Sequence, residues 1–170
     1  MISHIVAYAV LMAHQPADLS SRLMGSWVGT LEYRDFSDNS REKLGTLLRV
    51  FKDKASGRLV FRYVYDDGPS KVVQDRDEVV IDTVAGNYSV YDSDGKSSDT
   101  YKFSAPIVWD KNGKGTVILL GNGTENGADV DIRQTLSVDA KALSVLRESR
   151  LPGKEFLFRH EYRFERVSKA

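Results

Sequence analysis

The sequence predicts an all-β protein: a single antiparallel up-and-down β-barrel of about eight to ten strands, with a short N-terminal helix capping one end. Three observations predict it. From Ser26 to Arg166 the chain divides into runs of alternating apolar and polar residues rich in Val, Ile, Tyr, Phe and Thr, the pattern of strands with one buried face. Clusters of Gly, Asp, Asn, Ser and Pro separate these runs at nearly regular spacing. No linker and no second core-forming block interrupts them, so residues 17–170 read as one barrel domain preceded by a distinct segment, residues 1–16.

In that segment, Ile5 to Ala13 reads IVAYAVLMA and is followed by polar residues. The run is much shorter than the roughly 18 apolar residues of a membrane-spanning helix. It is either a signal-peptide core ending near Ala13, without the usual basic stretch ahead of it, or a short element packed on the barrel. An exported and a cytoplasmic protein follow from these two readings respectively. Residues 17–24, ADLSSRLM, offer Asp18 or Ser20 as the cap of a single helical turn.

Strands are expected at 26–34, 43–51, 58–66, 71–82, 87–91, 99–104, 115–122, 129–138, 142–150 and 155–166. The turns between them, such as Asp53–Gly57, Asp66–Pro69, Asp92–Gly95 and Asp110–Gly113, use glycine for positive φ and Asp or Asn to bond back to the backbone. Connections this short make consecutive strands antiparallel neighbours, and a long meander removes its exposed edges by closing on itself.

Alternation then sorts side chains into inner and outer faces. Leu59, Phe61, Tyr63 and Tyr65 share one face of the third run, and Val130, Ile132, Gln134, Leu136 and Val138 one face of the eighth. In the last run Phe156, Phe158, His160, Tyr162, Phe164 and Arg166 fall together. Gln134 and His160 are thus polar residues on apolar faces. Tyr33, Tyr63, Tyr65, Tyr88 and Tyr162 carry hydroxyls that need partners if buried, which suits a part-polar cavity. Tyr33, Phe61, Tyr63, Gln134, His160 and Tyr162 are the expected ligand-lining residues. Asp75, Asp77, Glu78 and Asp82 read as a solvated outer face.

Composition narrows the function. Lys+Arg and Asp+Glu both number 24, so no basic surface is set aside for nucleic acid or an anionic membrane. With no Cys, disulfides, thiolate nucleophiles and Cys-ligated metals are excluded. There is no phosphate-binding or dinucleotide glycine motif and no Gly-x-Ser-x-Gly elbow. Asp92–Gly95 and Asp110–Gly113 lack the length of a calcium loop and fit hairpin turns. No cofactor and no metal is expected, although His160 has three possible roles: a hydrogen-bonded core residue, a ligand partner or an axial haem ligand.

The first strand opens Gly25-Ser26-Trp27-Val28-Gly29, and Arg166 shares a face with Tyr162 and Phe164 in the last. This resembles the Gly-x-Trp opening of the calycin group, the lipocalins and fatty-acid-binding proteins. The resemblance implies that Trp27 closes one barrel end beside Gly25, with Arg166 packed across its ring and Arg163 the off-parity alternative. About ten strands place the chain nearer the fatty-acid-binding branch, without that branch's helical lid. Tyr63–Pro69 is similar to uncharacterised bacterial lipocalin-like proteins.

The expected function is non-catalytic binding of a small, largely apolar molecule inside the barrel, by a monomer or weak homodimer. The alternatives are a barrel enzyme of isomerase or cyclase type using His160 with a tyrosine, or a filled barrel serving as a structural or partner-binding module.

Overall fold

Alternation becomes curvature when every strand turns its apolar side toward a common axis. A computed structural model describes residues 18–35, 37–92 and 97–168; the N-terminal apolar run and most of the Asp92–Gly95 turn lie outside the described residues. A short helix α1 (Leu19–Leu23) leads into β1 (Gly25–Arg34), β2 (Arg41–Lys52), β3 (Leu59–Asp66), β4 (Val72–Asp82), β5 (Asn87–Tyr91) and β6 (Ser97–Phe103). After β7 (Val108–Trp109) come β8 (Gly115–Glu125), β9 (Ala128–Val138), β10 (Ala142–Arg150) and β11 (Leu157–Arg166).

Each strand pairs antiparallel with its neighbour in sequence, and β11 returns beside β1 with Trp27 opposite Arg166. The ring closes where β6 meets β8, Lys102 opposite Leu120 and Phe103 opposite Leu119. The result is a closed antiparallel barrel of ten strands. The two-residue β7 is an eleventh, not expected from sequence, that continues along the free edge of β8. The other strands fall within a few residues of their expected positions.

The helix closes one end. Leu19 and Leu23 are buried in the main core cluster with Trp27, Leu48, Val50, Val138 and Phe164. Asp18 stands at the N-cap without a side-chain capping bond; instead the Ser21 hydroxyl donates to the Asp18 carbonyl at 2.7 Å. The Trp27 indole donates to the Leu23 carbonyl at 3.0 Å. Arg166 lies across the indole, its Cζ 3.9 Å from the ring centroid. Gly25 takes φ 142°, and a Cβ there would run into the Arg166 guanidinium.

Two face assignments are corrected. A β-bulge opposite Arg147/Glu148 shifts the register of β11, so that Arg147 faces His160 and Glu148 faces Phe158. The extra residue, Arg159, inverts the parity below it. Phe156 therefore lies outside the barrel under Arg133 and Arg150, and Phe158 under Arg41, while Arg159 turns inward to Glu125 at 2.9 Å. The second correction is β4. Its residue Val79 is buried in the core, and Asp77, which shares that face opposite Phe61, lines the lumen rather than the outer surface, while Asp75, two residues further along, is exposed. Among the described residues, no helix is long and apolar enough to cross a membrane.

Candidate functional site

Beneath α1 the end of the barrel is filled by Leu19, Leu23, Trp27, Leu48, Val138 and Phe164 of the core cluster. A cavity of about 240 Å³ lies between Phe61, Tyr63 and Asp77 on one wall and Gln134, Arg147 and His160 on another, with Tyr162 between them. Arg147 and His160 also line a mouth of about 480 Å³ at the open end, together with Tyr33, Glu125 and Arg159. Arg147 and His160 thus stand between the cavity and the open end opposite the helix. Of the residues expected from sequence, Phe61, Tyr63, Gln134, His160 and Tyr162 share the cavity, and Tyr33, paired with His160, stands at its entrance.

Tyrosine rings form one side of this lumen. Tyr63 stacks on Tyr65 at 5.8 Å between centroids and lies 5.4 Å from Tyr162. The Tyr65 and Tyr162 hydroxyls bond each other at 2.9 Å, so two of the buried phenols satisfy one another. Burial pushes the Tyr162 phenol up to about 12 and raises those of Tyr63, Tyr65 and Tyr88. All four are neutral hydrogen-bonding groups at physiological pH.

Charged groups enter from two sides. Arg147 donates to the Tyr101 hydroxyl at 3.0 Å, and Tyr101 donates in turn to Asp99 at 3.1 Å. Burial, then the Arg147 charge, pulls the His160 imidazole down to about 4, leaving it neutral near pH 7. Asp77 moves the other way: burial, then the charges of Asp75 and Asp99, raise its carboxyl to about 6. Neither a hydrogen bond nor an ion pair joins Asp77 to another described residue.

Asp77, Asp99, Tyr101 and Arg147 were missed from sequence, although parity held a clue. Arg147 follows Leu143 and Val145 at intervals of two, and Asp77 precedes Val79 and Ile81 in the same way. In each strand the charged residue belongs to the more apolar set. A larger open cleft of about 670 Å³ lies at the closed end, between Leu19, Val84–Gly86, Phe103 and Trp109. It is separate from the lumen, and apart from Asp18 its lining carries no charge.

No protein-family model and no curated protein matches the sequence. Among solved structures, the chain is similar to an S-type phycobiliprotein lyase from Guillardia theta, with 10% identity over 89% of this chain and 91% of that one, at a TM-score of 0.55. It is also similar to a protein of unknown function from the DUF3598 family of Nostoc punctiforme, with 14% identity over 90% of this chain at a TM-score of 0.46. The chain spans about half of that protein's length, 51%. At these identities the likeness is one of fold.

Proposed function

We propose that this protein is a calycin-like barrel that binds a small molecule in its lumen, admitted at the end opposite α1. The observation that carries this is the cavity itself. Protein interiors are packed to crystal density, yet here a space of about 240 Å³ is walled by tyrosines and by polar groups that include Asp77, Gln134, Arg147 and His160. Aromatic faces supply contact area and the few polar groups fix orientation. The ligand has a largely apolar body that fits between Phe61, Tyr63 and Tyr162, with polar atoms for Gln134, Arg147 and His160. The Trp27–Arg166 closure and the Gly25 opening favour the calycin reading of the barrel.

A native mass spectrum of the purified protein, beside its denatured mass, tests this. An adduct lost on denaturation, and absent from a variant with the lumen filled by Val145→Trp, is expected. A bare native mass, together with no uptake of apolar probes, would overturn it.

A second reading is favoured by one observation: His160 and Asp77, two groups moved far from their ordinary titration ranges, face one cavity. Such a pair suits proton transfer on a bound substrate. In that case His160→Gln keeps binding and loses turnover.

A further inference from the structure

The ring of strands sets two opposite charges against each other. From β4 the barrel runs through β5, β6, β8 and β9 to β10 one way, and through β3, β2, β1 and β11 to β10 the other. Asp77 on β4 and Arg147 on β10 therefore project from opposite walls into the same lumen. Being across the barrel, they do not form an ion pair with each other. Among the described residues, no carboxylate pairs directly with Arg147, whose one bond is to the Tyr101 hydroxyl; that hydroxyl donates on to Asp99, a second carboxylate of the lumen, so Asp99 is answered within the protein, and nothing pairs with Asp77. Of the other cations at the mouth, Arg159 is already held by Glu125 and the Ser149 hydroxyl, and Arg34 donates to the Asn39 side chain.

Unpaired charges in a half-buried cavity are costly, and a ligand that covers them without replacing the lost water makes them costlier. A wholly apolar ligand strands both charges. A simple anion answers Arg147 and leaves Asp77 unanswered on the opposite wall; a simple cation does the reverse. Tyr63 and Tyr162 line the same cavity as Asp77, and aromatic rings attract cations, so the aromatic lining and the carboxylate both favour a positive nitrogen. On the opposite wall the guanidinium offers a planar fork suited to a carboxylate.

We infer that the lumen selects a small zwitterion with separated charges, whose anionic group meets Arg147 near the mouth and whose protonated nitrogen meets Asp77 across the barrel, with an apolar or aromatic body between. The inference rests on lumen binding and names the ligand class for it. Separation matters: charges on adjacent atoms cannot reach both walls at once.

Calorimetric titration with matched probes tests it. 4-(Aminomethyl)benzoate and 8-aminooctanoate are the zwitterions; benzylamine, octylamine, benzoate and octanoate carry one charge; benzyl alcohol and 1-octanol carry none. At pH 7.5 at least one zwitterion is expected to bind tenfold or more tightly than its single-charge and neutral counterparts. Asp77→Asn should remove that advantage and leave the carboxylate probe unchanged. Arg147→Gln should remove it and leave the amine unchanged. If neutral or singly charged probes bind as well as the zwitterions, the charge-selective inference is overturned and lumen binding stands. If no probe binds at millimolar concentration, both are overturned. The probe series on the unmodified protein decides the question even if a variant fails to fold.

Discussion

Arg166 covers the Trp27 ring, Cζ 3.9 Å from its centroid, and its three nitrogens donate to the carbonyls of Arg22, Met24 and Ala140 at 2.6 to 2.8 Å. One side chain from the last strand thereby ties the end of α1, the start of β1 and the β9–β10 turn. Arg166→Met removes the cation–π contact and leaves those carbonyls without a charged donor. A loss of about 2–3 kcal/mol is expected, part of the cost being relieved by water at the rim. Arg166→Lys should recover only a fraction, because an ammonium cannot serve three divergent acceptors while lying flat on a ring. Urea midpoints of the two variants check this order.

The Tyr65–Tyr162 hydroxyl bond of 2.9 Å crosses from β3 to β11 above the lumen. Tyr162→Phe breaks it and leaves the Tyr65 hydroxyl without its partner, at about 0.5–1.5 kcal/mol. Removing both hydroxyls should cost less than the sum of the single changes, because neither is then left stranded. A double-mutant cycle by denaturant unfolding measures the coupling. Additive losses would show that the hydroxyls are independently solvated.

Stability against pH carries two opposed contributions from the lumen. His160 titrates near 4 when folded, below its ordinary value of about 6.5, so the unfolded chain binds its proton first. That contribution is present above the unfolded value and is lost as pH falls from about 6.5 to about 4. Asp77 titrates near 6 when folded, above the ordinary carboxylate range, so the folded state holds the proton longer. Its contribution is present at low pH and is lost as pH rises from about 4 to about 6. Relative to the unmodified protein, Asp77→Asn should make stability fall more steeply on acidification through this window, and His160→Gln should make it fall less steeply. Thermal melts between pH 4 and 7 read both slopes; differences of the same sign would sink the assignment.

At Gly29 the two closing strands approach so closely that a Cβ would collide with the Arg163 carbonyl oxygen on β11. Gly29→Ala must push backbone apart at the β1–β11 seam, and a loss of about 3–4 kcal/mol or failure to fold is expected. Gly45 is the control. A Cβ there meets only the Asp66 Cβ at 3.7 Å, an ordinary contact, so Gly45→Ala should be neutral or stabilising by up to about 1 kcal/mol through the unfolded chain. Soluble yield and melting temperature of the pair check the contrast.

Alternation along the chain was sufficient for the strands, because a strand half-exposed to water writes its two faces into its own residues. Leu59, Phe61 and Tyr63 announced an inner wall, and Gln134 and Tyr162 were found on inner faces by counting in twos. The same counting failed at Phe156 and Phe158. A bulge adds one residue without altering the apolar pattern, so nothing in FLFRHEYRF marks where the parity turns over. At Asp77 the counting held and the residue type misled: it shares parity with Val79 and Ile81, but a carboxylate in a mixed run looks like a residue for solvent. β7 is too short to show any period at all.

What the sequence determined by itself is the barrel, since each strand's pattern is local and the short turns leave one way to order them. Only the tertiary structure decided the character of the lumen. Asp77 and Arg147 stand 70 positions apart in the numbering, and no local pattern relates them. They face each other because ten strands close into one ring, and a ring is a property of the whole chain: the last strand must return to the first before any residue has an opposite wall.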